Sequence, residues 1–282
     1  MPVIAMTQEM ASLGKDVALA VAEKLGLQLV RHEVGDMVAG RMQVKKSLIR
    51  RIREGKASKI ERWSADEKTI SIYTAEEVFD LAVKGNVLIR GWGATLLLRS
   101  VPHIACVRVC APIEVRVKRL MERLETDEES LARHEIEVDD QARASRMGEH
   151  FNVTWGDATL YDLTLNTERV SIATCVEQVV KLVNAAEFRE TPQSRQYLAD
   201  LALQARARAA LRADPRTSGI DITVDVSGGR ATLRGIVVDD REKALVTEVV
   251  KSVAGEEIQD ELRTMAGGLF RFPSQLKDFP KR

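Results

Sequence analysis

The chain has 282 residues, room for one large domain or two modest ones and enough mass for a real core. Its 42 basic and 42 acidic side chains balance to a formal charge of zero, so no global argument points to nucleic acid or an anionic membrane as a partner. No apolar run is long enough to span a bilayer, MPVIAMTQEM lacks the basic start of a signal peptide, and three cysteines suit a reducing compartment; a cytoplasmic protein is expected.

VIAM, residues 3–6, opens the chain as a candidate buried strand, and Val17, Val21 and Leu25 then recur at helical spacing. Between them, TQEMASLGKD places Gly14-Lys15 where a strand hands over to a helix. A phosphate loop puts its glycine and lysine there, but G-x-x-x-x-G-K-[ST] would require glycine at Glu9 and a hydroxyl at Asp16. LQLV, NVLIRG, IACVRVC and YDLTLN supply four more strand candidates, with helices over 74–84 and 113–124 among the segments between. Strands alternating with helices predict an α/β fold, a parallel sheet covered on both faces.

Cys106 and Cys110 share one face of their strand and read as buried thiols, because no C-x-x-C or nearby histidine completes a metal or redox pair. The charged run ESLARHEIEVDDQARASRMGEHF reads either as a solvated helical hairpin or as a lid.

Composition changes near Glu187. We expect a first domain over 1–187, a polar linker over 188–196, a small domain over 197–267 and a tail over 268–282. In the small domain a helix precedes two alternating strands joined at Ser227-Gly228-Gly229, and a second helix and a last strand complete an αββαβ unit. Arg208 and Arg212 share a helix face while Arg206 points elsewhere, which suggests a solvated helix side rather than a basic stripe.

Three runs carry a resemblance to a known family: Thr7-Gln8-Glu9 with Gly14-Lys15-Asp16; VLIRGWGATLLLR; and Asp140-x-x-Arg143 followed by TWGDATLYDLTLNTERVS. Residues 2–186 resemble the cytidylate kinase-like branch of the P-loop nucleoside monophosphate kinases. The C-terminal unit, with its G-x-A-T-L-x-G run from Gly229 to Gly235, resembles a BON domain. The resemblance implies a P-loop kinase-like parallel sheet flanked by helices. It further implies transfer of a phosphoryl group from ATP, with Mg²⁺, to a nucleoside monophosphate such as CMP. A nucleotide is then the expected partner, and an unidentified ligand or protein would meet the BON-like domain. Nucleic acid is not expected, and membrane contact is not favoured.

Phosphoryl transfer asks a protein mainly for positioning and positive charge. Carried over residue by residue, the resemblance makes Lys15 and Arg143 the catalytic candidates. Thr7, Ser12, Gly14, Lys15, Asp16, Arg90, Arg116, Arg119 and Arg146 would contact nucleotide or phosphate, and Asp16 would also contact the metal. Glu114, Glu122, Asp139 and Asp140 offer the helical arginines a competing role as salt-bridged surface. Asp162 is expected to anchor a turn rather than act as a base. Ala11 and Leu13 replace glycines of the family loop, and Trp92 stands where the family has arginine. Those departures keep an alternative open: a nucleotide sensor or interaction protein with a degraded phosphate loop.

Overall fold

The computed structural model describes residues 2–53, 56–58, 61 and 66–265. Five strands, β1 (Val3–Gln8), β2 (Gln28–Val30), β3 (Val87–Arg90), β4 (Ala105–Cys110) and β5 (Leu163–Asn166), form a parallel sheet in the order β2-β3-β1-β4-β5. Alternation along the strands divides the core by face. Val3, Ala5, Val87, Ile89 and Cys106 enter one hydrophobic cluster, while Ile4, Met6, Leu88, Val107 and Val109 enter the other. Helices α1 (Gly14–Leu25) and α8 (Ile172–Val183) cover the second face, through Val17, Val21, Val176 and Val179.

The first face lies against α2 (Glu33–Arg41) and α4 (Glu67–Lys84), which contribute Val34, Val38, Val78 and Phe79. The same side carries α3 (Lys46–Arg53) and a short α5 (Ala94–Leu97), reaching the cluster through Ile49 and Ala94. β1 sits where the strand order reverses, so the crevice beyond its C-terminal end is where an open α/β sheet places a ligand.

Between β4 and β5 run α6 (Ile113–Leu124) and α7 (Glu129–Phe151). The charged run is one 23-residue helix rather than a hairpin. Ala132, Ile136 and Asp139 fall at i, i+4 and i+7 and give it a single buried stripe, the two apolar members packing with Val117 and Leu120 of α6.

The C-terminal unit consists of α9 (Pro192–Ala213), β6 (Ile222–Ser227), β7 (Arg230–Val237), α10 (Asp240–Ala254) and β8 (Ile258–Thr264), the αββαβ order read from sequence. β6 and β7 are antiparallel, β7 and β8 parallel. Gly228 and Gly229 take φ of 59° and 79°, the left-handed pair that lets a two-residue hairpin follow the strand twist. Asp200 of α9 fixes that turn by accepting hydrogen bonds from both glycine N–H groups, each 2.8 Å.

The expected linker over 188–196 is not a loop throughout. Thr191 and Ser194 form a reciprocal cap, Pro192 occupies the first turn, and the helix starts there, five residues before the expected domain start at 197. Helix α9 serves two cores. Leu198, Ala202, Ala205 and Ala209 join the cluster of the large sheet, while Ala207 and Leu211 join that of the small one. Of the basic residues of α9, Arg208 is exposed as expected, whereas Arg206 pairs with Asp80 at 2.8 Å, and Arg212 pairs with Asp66 and donates to the Thr69 hydroxyl at 2.6 Å. The expected tail, 268–282, lies outside the described residues. Among the described residues, no helix is long and apolar enough to cross a membrane.

Candidate functional site

The loop between β1 and α1 holds two non-glycine residues in a left-handed conformation. Ala11 and Leu13 both hold φ of 59°, a left-handed conformation that disfavours a Cβ. Their amide N–H groups donate to no acceptor among the described residues. Alternating left-handed residues with open amides form the concavity that receives anions ahead of a helix N-terminus. Gly14 cannot be larger, because a Cβ there would come within 2.6 Å of the Gln8 Cβ. Lys15 and Asp16 are exposed in the first turn of α1, and their side chains make no hydrogen bond or ion pair among the described residues.

Other residues expected to meet phosphate hold the loop instead. The fully buried Ser12 hydroxyl donates to the carbonyls of Glu9 and Val109, at 2.9 and 3.2 Å. Thr167 donates its hydroxyl to the Ser12 carbonyl at 2.8 Å, and Arg119 grips Thr167 through both hydroxyl and carbonyl, at 3.0 and 2.7 Å. Arg116 is buried and binds Asp140 through two hydrogen bonds, with Glu9 a further 3.5 Å from its Nε. Arg116 and Arg119 are therefore braces, consumed by internal partners. Arg143 chelates Asp139 at 2.6 and 3.2 Å and stands over the Trp155 ring; Arg146 reaches the Ile52 carbonyl at 3.3 Å.

Arg90 differs from all of these. It is 4% exposed at the C-terminal end of β3; among the described residues its one hydrogen-bond partner is the neutral Gln8 amide oxygen at 2.9 Å, and its Nε has none. Burial, then the neighbouring Arg31 and Arg143, pull its pKa down to about 10, with Asp16 opposing. A buried guanidinium beside two others, with no carboxylate bonded to it, is an incomplete ion cluster that one anion would complete.

Residues given no site role from the sequence hold the frame. Glu9 accepts from Arg108 at 2.6 Å and from the Ala111 N–H at 3.1 Å, tying the loop to the end of β4. Arg108 is 5% exposed, donates to the Trp155 carbonyl at 2.9 Å and stacks over that indole. The available signal was an arginine inside the apolar run IACVRVC, since a buried cation requires an acid nearby. The T-W-G-D-x-x-x-Y-D run proves to be a brace. Trp155 donates to the Thr7 hydroxyl at 3.3 Å, and the Tyr161 hydroxyl donates to the Trp155 carbonyl at 2.8 Å. Asp162 accepts from the Cys106 N–H at 2.7 Å, the anchoring role expected of it. Burial pushes the Cys106 thiol up to about 12.

Beside the loop lies a cavity of about 520 Å³, a size that suits a small metabolite. Its walls include Thr7, Thr95, Trp92, Trp155, Arg143 and Phe79. Trp92 donates its indole N–H to the Arg31 carbonyl and packs on the Cα of Gly35, so it forms a wall of the cavity rather than a plug in it.

Residues 3–169 match the model of the cytidylate kinase-like family. The chain belongs to that family. Residues 199–265 match the BON domain. Two curated relatives are cytidylate kinases: one from Staphylothermus marinus, 28% identical over 109 residues, and one from Halobacterium salinarum, 34% identical over 84. Those matches cover 39% and 29% of this chain, and the chain spans 60% and 43% of the relatives' own lengths. A solved structure of an uncharacterized protein from Eubacterium ventriosum superposes with a TM-score of 0.52 at 22% identity, covering 66% of this chain and 99% of that one. That likeness describes the fold alone.

Proposed function

We propose that this cytidylate kinase-like protein binds the phosphates of ATP on the loop over 9–16 and transfers the terminal phosphoryl group to a nucleoside monophosphate, such as CMP, seated in the adjoining cavity. The observation that carries this reading is Arg90, whose buried charge has no bonded anion among the described residues and which sits beside Gln8, at the strand end whose next residue, Gly91, lines the cavity. The amides of Ala11 and Leu13 and the Lys15 ammonium, without partners among the described residues, supply further donors on the loop.

In this reading Lys15 addresses the terminal phosphates, and Arg90 and Arg143 stabilise charge between donor and acceptor. Thr7 lies at the floor of the transfer site. Asp16 fits Mg²⁺, which takes one or two carboxylates together with phosphate oxygens, because its carboxylate is exposed and makes no ion pair. When bound, the metal would offset the charge of the phosphates. In-line geometry falls to the loop amides, and exclusion of water to the Trp92 and Trp155 walls.

A second reading, a nucleotide sensor without turnover, is favoured by one feature. Arg143 is already engaged by Asp139 and would have to leave it to reach a transferred phosphoryl group. Calorimetry and a turnover assay separate the two. Lys15→Ala should weaken ATP by roughly ten- to a hundredfold while leaving AMP nearly unchanged, because AMP lacks the terminal phosphates. Equal ATP affinity in Lys15→Ala and wild type removes the phosphate-loop reading. ATP binding without product formation on CMP, or on other nucleoside monophosphates, assigns the sensor.

A further inference from the structure

The cavity is not closed by the kinase-like region alone. One of its walls is α9, through Leu201, Gln204, Ala205 and Arg208, spaced i, i+3, i+4 and i+7 and so gathered on one helix face. The helix is fixed in that position from two sides. Leu198, Ala202 and Ala209 pack into the large core, and Arg206 and Arg212 form ion pairs with Asp80 and Asp66 on either end of the α4 stretch that they cross. A helix held this way presents a constant surface to the cavity, not a passing contact.

We propose that α9 makes the C-terminal domain part of the acceptor site, with Arg208 and Gln204 contacting a bound phosphomonoester and Leu201 packing against its body. Charge favours an anion. The lining holds the guanidinium groups of Arg143, Arg146 and Arg208 and the carboxylate of Glu67; Arg143 is already paired with Asp139, which leaves Arg208 to supply the charge for an anion. Arg208 is exposed, and its one contact among the described residues is a 3.4 Å approach to the Val224 carbonyl, with no carboxylate bonded to it. A planar fork with most of its donors open suits a phosphate. The body of the ligand would lie against Leu201, Phe79 and Phe151, which suits a flat group such as a nucleobase or an aryl ring. Selection of the acceptor would then depend on residues about forty positions beyond the end of β5, in a separate domain. For the ligand's phosphate the inference rests on the reading of this cavity as an acceptor site; for the role of α9 it needs only the cavity.

The test uses the full chain and calorimetric titration of CMP, phenyl phosphate and ATP. Wild type should bind at least one of the two monoesters and quench tryptophan emission, since Trp92 and Trp155 line the cavity. Arg208→Ala should weaken that monoester by roughly tenfold or more, with ATP affinity unchanged and Arg208→Lys recovering part of the loss. Leu201→Trp, checked for an unaltered fold, should exclude CMP by filling the space its body needs. The inference is overturned if neither monoester binds wild type, or if Arg208→Ala binds it as tightly as wild type does. Loss of ATP binding alone, with monoester binding still dependent on Arg208, would remove the phosphate-loop reading and leave this one standing.

Discussion

Replacing Arg90 by methionine should make the ligand-free protein more stable and its ligand-bound form less so. The residue is 4% exposed, its guanidinium is accepted among the described residues only by the Gln8 amide oxygen, and Arg31 and Arg143 oppose it. Its pKa of about 10 lies well below the ordinary arginine value, and with allowance for solvent screening the cost of holding the charge is on the order of 2–3 kcal/mol. Methionine fills similar volume without charge. It forfeits the bond to Gln8, worth about 1 kcal/mol, and leaves that oxygen to find water. The net expectation is a gain of about 1–2 kcal/mol, a rise of roughly 2–6 °C in Tm for a chain of this size.

The pH dependence follows from the sign of the shift. A base that binds its proton less tightly when folded penalises the fold fully at neutral pH, and the penalty fades only as pH rises above about 10. The difference between variant and wild type should therefore stay flat across about pH 6–9. Thermal and urea unfolding, each with and without saturating ATP, are the assays. ATP should stabilise wild type strongly and the variant much less. A ligand-free variant that is less stable than wild type, with an undiminished ATP effect, would refute the view of Arg90 as a charge awaiting its anion.

Asp200→Ala should destabilise the C-terminal unit by about 2 kcal/mol, since it strands the Gly228 and Gly229 N–H groups that the carboxylate now accepts; hydrogen exchange localised to the β6-β7 hairpin is the readout. Because α9 belongs to two cores, we propose that the domains over 1–187 and 197–267 unfold together in one calorimetric transition. Ala202→Glu, which buries a charge at their contact, should split that transition in two, and two separate transitions in the wild type would contradict the coupling.

Much of the architecture was legible because it depends on local pattern. Short apolar runs separated by helical periodicity specify buried parallel strands, and Gly228-Gly229 between alternating strands specifies a tight hairpin, whatever the rest of the chain does. The loop was legible by its spacing, and the departures at Ala11 and Leu13 by the loss of glycine. What the sequence could not assign was which cations are spent. Arg90, Arg116 and Arg119 are the same residue type in similar surroundings along the chain. Asp140 and Glu9 claim Arg116 and Thr167 claims Arg119, whereas no carboxylate bonds Arg90. Such partners lie up to about a hundred positions away along the chain, as Arg108 does from Glu9, and only packing brings those two to 2.6 Å. Helix α9 makes the same point on a larger scale. Its sequence marks it as a helix of the small domain, but its alanine-rich face is equally suited to either core, and tertiary contact alone makes it a wall of the cavity in the other domain.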